Sequence, residues 1–186
     1  MDDKYLTENN MRKLFTAFIA FIILATASVS VMAGPGDELK TDFIFGLFDD
    51  IKWPANNTDS NTIYVVGESP LVDLLEQKAD KRNAESLTIT IKKISIDDDF
   101  AGCKILLIAG DDLGTLAKVL KKVKGTSILT VSDIEGFARY GVMINILNKT
   151  KKGKQEINLI INKMTARKAG FEIPAKLINK AEKIFG

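Results

Sequence analysis

The chain has no histidine and a single cysteine among its 186 residues. The missing histidine removes Ser-His-Asp and Cys-His catalysis, His-ligated zinc and histidine pH switching together. The lone cysteine removes any internal disulfide. Cys103 stands in Ala-Gly-Cys-Lys-Ile-Leu-Leu-Ile, at the mouth of an apolar strand, where cysteine reads as a small core filler. An excess of charge is lacking too: 26 Lys+Arg against 24 Asp+Glu leave a net +2, so nothing global points to nucleic acid. Internal repeats and low-complexity segments are also missing. With 46% hydrophobic and 27% charged residues, the composition suits one domain with a full core, plus an extra segment.

That extra segment is N-terminal. Arg12-Lys13 precede an apolar run from Leu14 to Val29, and Ser30-Val31-Met32-Ala33 follows. A positive patch, an apolar core and Val-x-Ala describe a secretory signal peptide, cut after Ala33. The run falls short of the ~20 residues a spanning helix needs, which favours cleavage over a retained anchor. No cysteine follows it, so a bacterial lipoprotein is excluded. Met11 is an alternative start. The expected organisation is a signal peptide over 1–33 and an exported soluble domain over 34–186.

Within that domain, Leu39, Phe43, Ile44, Leu47, Phe48 and Ile51 recur at helical spacing, with Lys40, Asp49 and Asp50 outside the stripe. Asp37 is the expected N-cap, and Trp53-Pro54 ends the helix. Strands are expected at Thr62–Val66, Leu87–Ile94, Lys104–Ala109 and Ser127–Val131, and helices at Leu71–Lys81 and Thr115–Val123. Asp97-Asp98-Asp99 lacks the alternate ligand spacing and glycine turn of a calcium loop and reads as a solvated acidic loop. Gly110-Asp-Asp-Leu-Gly114 has strand–loop–helix placement, but its aspartates would repel a phosphate and the Walker lysine is absent. Val142–Leu147 and Gln155–Ile161 flank a Lys-rich turn as an antiparallel hairpin. Asn162 caps a helix that Gly170 ends. Pro174 opens a last helix with Leu177, Ile178, Ala181 and Ile184 on its apolar face. The fold class is α/β: a single domain whose mixed sheet carries parallel βαβ units and a C-terminal antiparallel hairpin, with helices on both faces.

The stretch Ser127 to Asn145 draws the functional reading. A short β-branched strand stops at Ser132-Asp133, and Phe137 follows a glycine turn. Two readings stand there: a polar strand tip beside an exposed aromatic, where α/β proteins place ligands or partners, or a capped turn with Phe137 in the core. Strand alternation puts Glu156 and Asn158 on one face of the hairpin. Arg167 on the next helix could pair with Glu156 as a structural bridge, or receive an anion bidentately. The candidate partner- or ligand-binding residues are therefore Thr130, Ser132, Asp133, Phe137, Glu156, Asn158 and Arg167.

Several blocks resemble the YfiR family of small exported bacterial proteins. They include the helix closing on Trp53-Pro54, Ile63-Tyr-Val-Val-Gly, and Gly102-Cys-Lys-Ile-Leu-Leu-Ile. The sharpest are Ile128-Leu-Thr-Val-Ser-Asp-Ile-Glu-Gly-Phe-Ala, Gly141-Val-Met-Ile-Asn, Glu156-Ile-Asn-Leu, and Ala166-Arg-Lys-Ala-Gly-Phe-Glu-Ile-Pro-Ala-Lys-Leu. The likeness runs from about Leu39 to Ile184, with the blocks in the family's order. It implies a periplasmic regulator that docks on the sensor portion of an inner-membrane diguanylate cyclase, represses cyclic di-GMP production and biofilm, and is not itself an enzyme. Two departures are visible: Gly141-Val142 stands where the family usually has Gly-Gly, and the cysteine pairs of some members are absent. The alternative is a periplasmic small-molecule sensor or solute-binding component serving another membrane system. No cofactor, metal or nucleic-acid partner is expected; a homodimer is one possible state.

Overall fold

A computed structural model of the chain describes residues 34–57, 60–84 and 88–186. The expected export segment over 1–33 lies outside the described residues. Among these, no helix is long and apolar enough to cross a membrane.

The first helix, α1 (Pro35–Asp50), begins with proline in its first turn, where the missing N–H costs no helical bond. Gly34 is its N-cap, and the Asp37 carboxylate accepts the Gly34 N–H at 3.0 Å. Asp37 thus stands at the third helical position rather than at the cap, closing a capping box from inside. Beyond Ile51, Trp53 folds back: its indole N–H donates to the Phe48 carbonyl, and its ring meets Phe171 edge-on at 5.7 Å.

Two βαβ units follow: β1 (Asn61–Val66), α2 (Leu71–Ala84) and β2 (Ile89–Ile94), then β3 (Ile105–Ile108), α3 (Leu113–Lys122) and β4 (Leu129–Ser132). A short helix, α4 (Phe137–Tyr140), leads to the hairpin β5 (Ile144–Lys151) and β6 (Lys154–Asn162). The chain closes with α5 (Lys163–Lys168), α6 (Ala175–Ile178) and β7 (Ala181–Phe185). All seven strands form one sheet in the order β2-β1-β3-β4-β5-β6-β7. The first five run parallel; β6 is antiparallel to β5, and β7 is parallel to β6. The mixed α/β sheet expected from the sequence is thus present.

The last element departs from expectation. Leu177, Ile178, Ala181 and Ile184 fit one helical stripe, but the helix stops at Ile178 and the chain turns into β7 along the outer edge of β6. An unpaired β6 would leave a row of open backbone groups, and pairing them outweighs the local helical spacing.

Strand alternation divides the core in two. Ile63 and Val65, Ile105 and Leu107, Leu129 and Val131, Ile144 and Ile146 face α1 and α2. Tyr64 and Val66, Leu106 and Ile108 face α3, joined by Phe137 and Val142. On that second face β4, β5 and β6 turn polar, presenting Thr130, Ser132, Asn145 and Asn162, all buried.

Candidate functional site

The tip of β4 is built around those polar side chains. Thr130 Oγ1 accepts the Met143 N–H at 3.0 Å, and Ser132 Oγ accepts the Ile134 N–H at 3.1 Å. Asn145, opposite Ser132 in β5 and fully buried, donates through Nδ2 to the Ser132 and Ile134 carbonyls, each at 2.8 Å. Its Oδ1 accepts the Ala138 N–H at 2.7 Å. Asn162 at the end of β6 donates to the Ala138 carbonyl at 2.8 Å and caps α5 by accepting the Thr165 N–H. Two strands therefore hold both polar groups of Ala138 and fix α4 against the sheet.

Phe137 follows Gly136, whose φ of +87° turns the chain inward. The ring is 2% exposed and packs in the second core cluster. Of the two readings of this residue, the structure takes the core one.

Asp133 faces α1. Its Oδ2 lies 3.1 Å from Lys40 Nζ, which also has Asp37 Oδ1 at 3.6 Å. The Lys40 and Asp133 side chains are 9% and 10% exposed. Lys40 reads from sequence as a solvated residue outside the apolar stripe; it is instead the pin that joins α1 to the β4 tip. The sequence holds one signal for this cluster, Asn145, which interrupts an otherwise apolar strand. That signal does not name the partners of Asn145.

Glu156, Asn158 and Arg167 lie elsewhere. Glu156 is exposed opposite Lys149 near the hairpin turn, and Asn158 is half-buried, its Oδ1 having no hydrogen-bond partner among the described residues. Arg167 is exposed on α5. The expected Glu156–Arg167 bridge does not form: six strand steps of ~3.3 Å separate Glu156 from the end of β6, and Arg167 lies further still along α5. Arg167 instead borders a depression of about 520 Å³ with Lys163, Met164 and Lys168. Met164 and nearby Tyr140 are 50% and 56% exposed. None of Lys163, Arg167 and Lys168 enters an ion pair among the described residues. The α4–α5 surface is thus both apolar and cationic.

The other places where this fold class binds ligands are engaged internally. At the switch between β1 and β3, a Cβ on Gly67 would stand 2.3 Å from the Ala109 carbonyl oxygen, so the two backbones close that crevice. At the start of α3, Asp112 accepts the Gly114 and Thr115 N–H groups, and hydrogen bonding from Thr115 holds its carboxyl below the usual range. The donors that would cradle a phosphate already hold an anion. Asp98 and Asp99 accept backbone N–H groups from Ser95 and Ala101 in the acidic loop. Burial pushes the Cys103 thiol up to about 12, so it is not a thiolate at neutral pH.

The profile of the YfiR/HmsC-like family matches residues 37–182. No curated protein matches the chain. Among solved structures, a conserved domain protein from Vibrio cholerae O1 biovar El Tor aligns with a TM-score of 0.53 at 12% identity over 80% of this chain. The ABC domain from Streptococcus pneumoniae, solved in complex with L-Trp, aligns with a TM-score of 0.52 at 13% identity over 81%. The chain spans 60% and 62% of the length of those two proteins. At such identities the likeness is one of fold.

Proposed function

We propose, since the chain belongs to the YfiR/HmsC-like family, that it is a periplasmic regulator which binds the sensor portion of an inner-membrane diguanylate cyclase and holds it off. The observation that carries this reading is the family match across nearly the whole folded domain. A non-enzymatic role agrees with the absence of histidine and the neutral, buried Cys103. Regulation then needs only differential affinity: the protein favours the inactive state of its partner by the difference between its affinities for the two states. Near-complete switching of a two-state partner takes a difference of about 10⁴-fold. The surface we assign to the partner is α5, where Lys163 and Arg167 are exposed beside Met164 and enter no ion pair among the described residues.

Deletion of the gene should raise cellular cyclic di-GMP, and complementation should return it to its starting level. A complementing copy carrying Lys163→Glu and Arg167→Glu should fold normally and fail to lower it. An unchanged level in the deletion strain would overturn the cyclase reading.

Export is the second part of the proposal. Intact mass of protein from the periplasmic fraction should correspond to a chain beginning at Gly34. Protein that retains residues 1–33 would show the run to be an anchor. Cleavage would leave the new amino group on Gly34, whose nitrogen lies 3.0 Å from the Asp37 carboxylate.

A further inference from the structure

A second cavity, of about 380 Å³, opens between the end of α3, the α4–β5 turn and α5. Its volume falls within the range of small-molecule sites. Its walls are apolar: Leu120 and Val123 from the α3 side, Met143 just before β5 and Ala169 after α5. The polar side chains that line it are all able to donate. Thr130 is 1% exposed; its oxygen already accepts the Met143 N–H, and its own proton has no acceptor among the described residues. Thr165 and Tyr140 add two more hydroxyls with no side-chain hydrogen bond there. Lys124 and Lys168 complete the lining, and neither is in an ion pair among the described residues. No aspartate, glutamate, asparagine or glutamine contributes.

An apolar chamber with hydroxyl donors and two unpaired ammonium groups complements one class of ligand. We infer that the cavity binds a small organic carboxylate with an aryl or alkyl body. The body covers Leu120, Val123 and Met143, while the carboxylate accepts from the threonine hydroxyls and the lysines. Neutral molecules of the same shape gain the apolar contact and forgo the charge-assisted bonds. Cations meet two like charges. The wall residue Lys168 also borders the α5 depression assigned to the partner, so an occupied cavity alters the charge of that surface. This inference reaches beyond the regulatory reading, and ligand binding is measured without any cyclase, so the two fail separately.

The test uses three probes with one body: 4-phenylbutanoate, 4-phenylbutan-1-ol and 4-phenylbutylamine. Titrated into isotopically labelled protein, the acid should move the amide signals of Gly125, Gly141 and Ala169. It should bind at least about tenfold more tightly than the alcohol, and the amine should leave those signals in place. Lys124→Glu with Lys168→Glu should abolish the preference for the acid while the alcohol still binds. Ala169→Leu, which fills the chamber, should remove both. Equal affinity for acid and alcohol, signal changes confined to other surfaces, or no change with the acid, with decanoate and with benzoate would each overturn the inference.

Discussion

Replacing Asn145 with leucine is expected to lower the unfolding free energy by about 3 kcal/mol or more, because buried backbone groups lose their partners at ~1–3 kcal/mol each. The side chain is fully buried and makes three hydrogen bonds, one to the Ala138 N–H and two to the Ser132 and Ile134 carbonyls. Leucine is similar in size, so the cavity term is small and the loss reports polar satisfaction. Urea denaturation measures it, and a loss under about 1 kcal/mol would show that α4 can repack or admit water. Asn145→Asp separates the two halves of the interaction. It keeps the acceptor for Ala138 but turns a charged oxygen toward two carbonyls, so it should be at least as damaging at pH 7. Burial raises such a carboxyl above its ordinary ~3.9. The protonated form is then the stable one, and the gap to the native protein should narrow as pH falls toward 4.

The same residue shows where the sequence was readable. Val142 to Leu147 is legible as a strand because apolar and β-branched residues dominate it. What a strand pattern cannot state is which neighbour an inward-facing asparagine will meet, since that depends on pairing with β4 and on a four-residue helix between them. Phe137 carries the same lesson. Its sequence context fits both an exposed tip and a core plug, and the left-handed Gly136 decides for the core. Ala181 and Ile184 mislead because periodicity is local, whereas the open edge of β6 is created by Leu159 and Ile161, far earlier in the chain. Asn162 was readable in full: a capping residue ahead of a helix needs only its own neighbours. Of the seven candidate site residues, Thr130, Ser132 and Phe137 gather on the α3 face of the β4 tip, Asp133 turns to α1, and Glu156, Asn158 and Arg167 lie elsewhere. The strand pattern gives each residue's face but not its distance along the sheet.

Lys40→Met should cost about 3–5 kcal/mol, the range found when one partner of a buried ion pair is removed. The ammonium lies 3.1 Å from Asp133 and 3.6 Å from Asp37, and all three side chains are less than a fifth exposed. Methionine fills much of the space of the lysine stem but leaves two carboxylates facing each other without a cation. The damage comes from those abandoned charges, so it should be largely recovered when they are neutralised as well. Lys40→Met combined with Asp37→Asn and Asp133→Asn is expected to stand closer to the native protein than the single variant does, since whole buried ion clusters are often replaceable at little cost. Asp37→Asn on its own should matter less than Asp133→Asn, because Asp37 is the more exposed and the more distant carboxylate. If the single variant lost under about 1 kcal/mol, the pair would behave as a solvated surface bridge, and the hold on α1 would rest on apolar contacts such as those of Ile44, Phe45 and Leu47. The expected ordering gives the cluster its role. Apolar contacts hold α1 on the sheet, and the Lys40–Asp133 contact sets where along β4 it sits.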